Sequence, residues 1–218
     1  MELKNKVINF LGDSITFGSG TSGFDARFSH LMEKTYALKR ANNYGIGGTR
    51  IARQQTPSES TVWDEDFCKR CTEMDLEADI NVVFGGTNDF GHGDAPLGAF
   101  DNRTPDTFYG ACHALMRSLI ETYPEAVTVI CTPLHRLNEN DPRGDWKKVD
   151  VAPLSVYVGI LKKVAAYYAL PVLDLWQMSG LQPAVPIIKD RYMPDGLHPN
   201  DAGHKILCAR IGGFLQSL

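Results

Sequence analysis

Residues 80–86 read Ile80-Asn81-Val82-Val83-Phe84-Gly85-Gly86. A short run of β-branched and aromatic residues closed by two glycines is the pattern of a strand buried on both faces. Upstream, Lys6–Leu11 (KVINFL) is a similar run ending at Gly12. Phe24–Leu38 then places Phe24, Phe28, Leu31, Met32 and Tyr36 at three- and four-residue spacings, which predicts a helix with one apolar stripe. A second strand is expected at Arg40–Tyr44, ahead of the turn Gly45-Ile46-Gly47-Gly48, and a helix over Thr61–Met74. Downstream, the pattern predicts a helix at Thr107–Thr122 after Pro105, a strand at Val127–Cys131, a helix at Leu154–Tyr168, a strand at Val172–Leu175 and a closing helix at Ala202–Leu215. Strands alternating with helices of this length mean βαβ units: an α/β fold with a mainly parallel sheet, right-handed crossovers and helices on both faces. No repeat or linker divides the chain, so residues 1–218 read as one domain. Segments 91–103 and 134–151 fall outside the alternation and follow strand ends, where open α/β sheets place ligand-binding loops.

Composition narrows the function classes. Twenty-two Lys and Arg against 26 Asp and Glu give a net charge of −4, spread without long runs, so no basic face points to nucleic acid or an anionic membrane. The apolar stretch Val7–Leu11 is too short for a secretory signal, and Val164–Leu173, interrupted by Pro171, falls short of the ~20 residues a membrane span needs. The mature chain is therefore expected to begin near Met1 and to be soluble and cytoplasmic. Five scattered cysteines, an odd number, are expected to be reduced thiols. Cys68 and Cys71 form a CxxC with no second pair or nearby histidines to complete a zinc site, which favours coincidental spacing on an amphipathic helix.

Chemistry is concentrated in the turns after the strands. Gly12-Asp13-Ser14-Ile15 follows the first strand, where a serine can be a rigidly held nucleophile or, equally, a helix cap. The loop lacks the Gly-Lys-Ser/Thr of a P-loop, a GxGxxG and a GxSxG elbow. Gly86-Thr87-Asn88-Asp89 follows the third strand: an asparagine amide there can donate to an oxyanion, or simply form a turn. The glycines at 45, 47 and 48 can bring backbone N–H groups close to a ligand, or make a plain tight turn. Near the C-terminus, Asp195-Gly196-Leu197-His198 spaces a carboxylate so that it can hold the imidazole Nδ1–H while Nε2 faces outward, as a general base requires. Metal ligation by this pair with Asp13 or His92 has no supporting ligand motif, and no metal or cofactor is expected.

The four blocks occur in order across nearly the whole chain, and together they resemble the GDSL, or SGNH, hydrolase family. That resemblance implies a three-layer α/β/α sandwich of flavodoxin-like topology, with a five-stranded parallel sheet in the order 2-1-3-4-5, and ester hydrolysis as the usual activity. It implies Ser14, Asp195 and His198 as the catalytic residues, and Ser14, Gly48 and Asn88 as the oxyanion hole. The Asn-x-x-x-x-Gly spacing from Asn43 favours Gly48 over Gly47. Isoleucine stands at position 15 where the family has leucine, a conservative change at a side chain expected to be buried. Asp13 is expected to brace the nucleophile turn.

The expected substrate is a small-molecule ester. Phe90, His92, His135, Arg136 and Trp146 are expected to wall its pocket, with Asp13, Phe90 and His135 named as substrate-binding candidates. Arg136 and Arg143 are alternatives for a substrate carboxylate or phosphate. A short, partly polar pocket suits an acetyl group on a carbohydrate or small molecule. Three other readings stay open: a lysophospholipase- or thioesterase-type acylhydrolase, a catalytically silent binding module of the same fold, and a flavin-binding protein that uses Ser14–Thr21 as its phosphate cradle.

Overall fold

The structure is a computed structural model that describes residues 1–143 and 149–218. Five strands, β1 (Val7–Gly12), β2 (Arg40–Gly45), β3 (Ile80–Phe84), β4 (Val127–Cys131) and β5 (Val172–Leu173), form a parallel sheet in the order β2-β1-β3-β4-β5. The nine α-helical elements among the described residues are α1 (Ser14–Phe17), α2 (Phe28–Thr35), α3 (Phe67–Arg70), α4 (Thr87–His92), α5 (Phe108–Thr122), α6 (Leu154–Tyr167), α7 (Leu175–Met178), α8 (Pro186–Tyr192) and α9 (Asp201–Ser217).

Strand alternation sorts the core into two layers. Ile8, Phe10, Ile80, Val82 and Val129 face α2 and α9, packing with Phe28, Met32, Leu207, Ile211 and Leu215. Leu11, Val83 and Ile130 face the other way, toward Phe108, Leu115 and Leu119 of α5 and Leu161 and Val164 of α6. Each such buried side chain contributes about 1.5–3 kcal/mol. Helix ends are set by side chains: Thr107 accepts from Gly110 N at 3.1 Å to start α5, and Asn200 accepts from Ala202 N and Gly203 N to start α9. Three asparagines lie side by side across the sheet. Asn42 on β2 donates to Asn9 on β1 at 3.0 Å, and Asn9 donates to Asn81 on β3 at 2.9 Å.

Several expected elements are divided or shortened. The single helix expected over Phe24–Leu38 is a 3-10 turn at Phe24–Ala26 followed by α2, broken at Arg27. The Phe28 N–H turns to the buried His204 Nδ1, at 3.1 Å. The helix expected over Thr61–Met74 is a 3-10 turn at Thr61–Asp64 and then α3, because Asp66 starts a new helix by accepting from Lys69 N. The fifth strand stops at Leu173, since Asp174 caps α7. The glycine-rich stretch after β3, read as a turn, continues into α4. Among the described residues no helix is long and apolar enough to cross a membrane.

Candidate active site

Ser14, Asn88 and the glycine turn leave the sheet side by side, because β1, β2 and β3 end level: Gly12 pairs with Gly45 on one side and Phe84 on the other. Asp13 caps α1, its Oδ1 accepting from Ile15 N at 2.9 Å, and sets Ser14 half-buried at the helix start. Ile15 is buried, with 2% exposure. Gly45 lies so close beneath α1 that a Cβ there would stand 2.2 Å from Phe17 N.

Ser14 Oγ lies 2.9 Å from His198 Nε2, and His198 Nδ1 lies 2.7 Å from Asp195 Oδ2. The Asp195–His198 turn is closed by its own carboxylate: Asp195 Oδ1 accepts from Leu197 N at 2.8 Å and His198 N at 2.7 Å. Gly196 takes φ +80°, and its carbonyl accepts from Leu137 N at 2.9 Å, tying this turn to the loop after β4. Partial burial raises the Asp195 pKa, but the three N–H donors and the nearby imidazole outweigh it and bring the carboxyl down to about 2.

The glycine loop is anchored at several points. Ile46 N donates to Gly12 O at 3.1 Å, and Asn88 Nδ2 donates to Thr49 O at 3.1 Å, leaving its second amide hydrogen uncommitted among the described residues. The buried Asp89 carboxylate accepts from Ile51 N and Ala52 N at 3.0 and 2.9 Å. Burial pushes Asp89 up to about 7, against those two bonds and the charge of Arg50. Arg70 is a buried clamp on the same loop, its guanidinium donating to Tyr44 O, Gly12 O, Thr49 Oγ1 and Glu65 O. Gly48 sits at φ +77° against the Trp63 indole, and a Cβ on Gly47 would lie 3.8 Å from Ser14 Cβ.

Beside Gly48 opens a cleft of about 460 Å3, bordered by Arg50, Gln54, Ser58, Glu59, Trp63 and His92 among others. Of the cleft's two segments, 92–94 lies within 91–103, expected to be a ligand-binding loop, whereas 50–64, which builds most of it, is the part that sequence reasoning missed. Its one signal was Trp63, a lone large aromatic in a polar stretch just past the glycine turn. Of the expected pocket residues, His92 is found here.

The others are elsewhere. Phe90 is 0% exposed, because α4 turns its ring into the core against Tyr157. Asp13 is 1% exposed, committed to the turn rather than open to a substrate. Burial raises its carboxyl to about 6, opposed by the Ile15 N–H and the charges of His198, Arg70 and Arg136. His135 lies tilted against Trp176 with ring centroids 3.7 Å apart and bonds Glu139 at 3.0 Å. Arg136 is buried over the Phe90 ring and reaches Thr87 O at 3.4 Å, and Arg143 is exposed and pairs with Asp150. Trp146 lies outside the described residues. All five cysteines are free, with Cys71 buried and Cys68 half-buried on either side of Arg70. Among the described residues no group of three or more His, Cys, Asp or Glu is placed to hold a metal ion.

The profile of the GDSL-like lipase/acylhydrolase family matches residues 10–206. One solved structure is 30% identical, with a TM-score of 0.85, covering 100% of this chain and 99% of the other. A protein from Lactobacillus plantarum is 28% identical, with a TM-score of 0.83 and 98% of each chain covered. An acetyl xylan esterase, AlAXEase, shares the fold at 20% identity and a TM-score of 0.65, over 96% of this chain and 99% of its own. A search of curated proteins finds no match.

Proposed function

This chain belongs to the GDSL-like lipase/acylhydrolase family, and we propose that it is a serine esterase that cleaves a short-chain, acetyl-type ester of a carbohydrate or small molecule through an acyl-enzyme. The observation that carries this reading is the relay Ser14 Oγ, His198 Nε2, His198 Nδ1, Asp195 Oδ2, with its two links at 2.9 and 2.7 Å. Ser14 attacks the ester carbonyl while His198 takes the hydroxyl proton. Asp195 keeps the imidazole proton on Nδ1 and stabilises the imidazolium. The backbone N–H groups of Ser14 and Gly48 and the uncommitted hydrogen of Asn88 hold the tetrahedral oxyanion, each such donor being worth roughly 3–4 kcal/mol in the transition state. His198 then returns its proton to the leaving alcohol, and water, activated by the same imidazole, releases the acid and regenerates Ser14.

The cleft beside Gly48 sets polar groups on a mainly apolar lining that includes the Trp63 indole, a mix that suits a sugar ring with its apolar face and hydroxyl rim. The likeness to an acetyl xylan esterase is consistent with an acetylated sugar, at an identity that speaks only for the scaffold. The five free thiols fit a reducing compartment, the cytoplasm. Ser14→Ala tests the reading directly. It should abolish turnover of p-nitrophenyl acetate and labelling by a serine-directed phosphonate while leaving the melting temperature unchanged. Undiminished turnover in that variant refutes the assignment of Ser14.

A further inference from the structure

Two ring N–H groups beside the glycine loop have no partner among the described residues. Arg50, 2% exposed, lies beneath the cleft and organises it. Its Nη2 donates to Trp63 O at 3.2 Å, Asp64 Oδ1 at 2.9 Å and Ser58 Oγ; its Nη1 contacts His92 Nδ1 at 3.1 Å and His92 O at 3.3 Å. A guanidinium has donors only and stays protonated. His92 Nδ1 must therefore offer its lone pair to Arg50, which puts the ring proton on Nε2. Burial, then the charges of Arg50 and Arg136, push His92 down to about 4, so the ring is neutral in ordinary buffers.

Trp63 Nε1 is likewise a donor only. Its ring centroid is 4.8 Å from that of His92, and a Cβ on Gly48 would stand 2.3 Å from Nε1. Among the described residues neither Trp63 Nε1 nor His92 Nε2 is hydrogen-bonded, and neither is sealed from water. The exposed Glu59 carboxylate in the same cleft is also unpaired there. Other cleft side chains are committed: Gln54 bonds Asp94 N and Ala52 O, and Asp94 accepts from Gln55 N and Thr56 Oγ1. What remains open is two neutral donors and one acceptor next to the glycine loop. That set suits hydroxyl and ether oxygens. It does not suit a carboxylate or phosphate, which would meet Glu59 while the Arg50 charge is engaged below.

We propose that this cleft holds the alcohol part of the ester as a sugar ring, with Trp63 Nε1–H and His92 Nε2–H donating to its oxygens and Glu59 accepting from a hydroxyl. The proposal rests on the esterase reading above. Arg50 acts as a positioning residue through the tautomer it imposes on His92.

The test compares kcat/KM on methyl 2-O-acetyl-β-D-xylopyranoside with kcat/KM on p-nitrophenyl acetate, whose alcohol part has no hydroxyl to offer. Trp63→Phe keeps the aromatic face and loses the N–H, and it should lower the ratio of sugar ester to p-nitrophenyl ester about tenfold, mainly through KM on the sugar. His92→Leu should do the same, and His92→Gln, whose amide can accept from Arg50 and donate outward, should restore most of the ratio. A purely structural role would slow both esters alike. An unchanged ratio in Trp63→Phe and His92→Leu overturns the proposal; if His92→Leu fails to fold, Trp63→Phe decides. A native protein that cleaves p-nitrophenyl acetate but not the sugar ester overturns the sugar subsite alone. One that cleaves neither refutes the esterase reading beneath it.

Discussion

Replacing Asp195 by asparagine probes the relay at the point where its hydrogen bonds leave least freedom. Three N–H groups converge on the carboxylate: Leu197 N and His198 N on Oδ1, and His198 Nδ1 on Oδ2. An asparagine in the same pose can keep only its oxygen facing the two backbone donors. Its NH2 then faces His198 Nδ1 and can be accommodated only if that nitrogen gives up its proton. The imidazole switches to the Nε2–H tautomer, and Ser14 Oγ, 2.9 Å away, meets a donor where it needs an acceptor. The expected loss in kcat/KM on p-nitrophenyl acetate is roughly 10⁴-fold, or about 5 kcal/mol of transition-state stabilisation, by analogy with the same substitution in a serine protease triad. Asp195→Ala removes the carboxylate without enforcing the wrong tautomer, so it should be no more impaired than the asparagine variant. Initial rates at pH 8 on both variants, with melting curves to confirm folding, decide the matter. An asparagine variant within tenfold of the native protein refutes the tautomer argument. Because the Asp195 carboxyl lies near 2, its own titration should leave the native rate untouched down to about pH 3.

Three further substitutions test the scaffold. Gly45→Ala drives a Cβ to 2.2 Å from the backbone nitrogen of Phe17, so it should cost more than about 3 kcal/mol and lower Tm by at least roughly 6–12 °C; a normal melt would contradict that close approach. Arg70→Ala leaves Gly12 O, Tyr44 O and Thr49 Oγ1 without their guanidinium donors and should cost about 3 kcal/mol by chemical denaturation, whereas a loss under 1 kcal/mol would show that the clamp does not hold the loop. Asp89 is raised in the folded state from an unfolded value near 4 to about 7, so its contribution to stability is complete below pH ~4 and is lost as pH rises through 7. The Tm difference between native and Asp89→Asn should therefore shift in favour of the variant between pH 4.5 and 7.5; parallel curves over that window would rule the shift out.

The strands and the four motif blocks were legible because each depends on local signals: β-branched runs closed by glycine, a serine just past a strand, a carboxylate three residues before a histidine; the strand order was implied only by the family that those blocks resemble. The cleft was not, because its floor is organised by Arg50, whose partners Ser58, Trp63, Asp64 and His92 come together only in three dimensions. Phe90 misled for a related reason. A stretch read as a turn becomes α4, and helical phase carries an apparent pocket aromatic into the core. His135 bonds Glu139 and lies against Trp176, and Arg136 reaches Thr87, contacts that neither residue's place in the sequence announces. The 24–38 and 61–74 helices were over-extended because apolar spacing does not reveal where a buried acceptor such as His204, or a capping Asp66, will interrupt the backbone.

The asparagine row across β2, β1 and β3 works as an index mark for the sheet. Asn9 and Asn81 are fully buried, and sliding either neighbour of β1 by two residues would face an amide with a non-matching side chain; sliding it by one would turn the amide into the opposite layer. Each buried amide orphaned in this way costs about 1–3 kcal/mol, a large fraction of a domain's net stability. Misaligned sheets are thereby penalised before any chemistry is assembled. The row lies three residues, about 10 Å, before the level at which Gly12 and Gly45 finish their strands. The relative heights of Ser14, Gly48 and Asn88 are thus inherited from polar groups that no substrate ever touches. Evolutionary change at these three asparagines should accordingly be concerted rather than piecemeal.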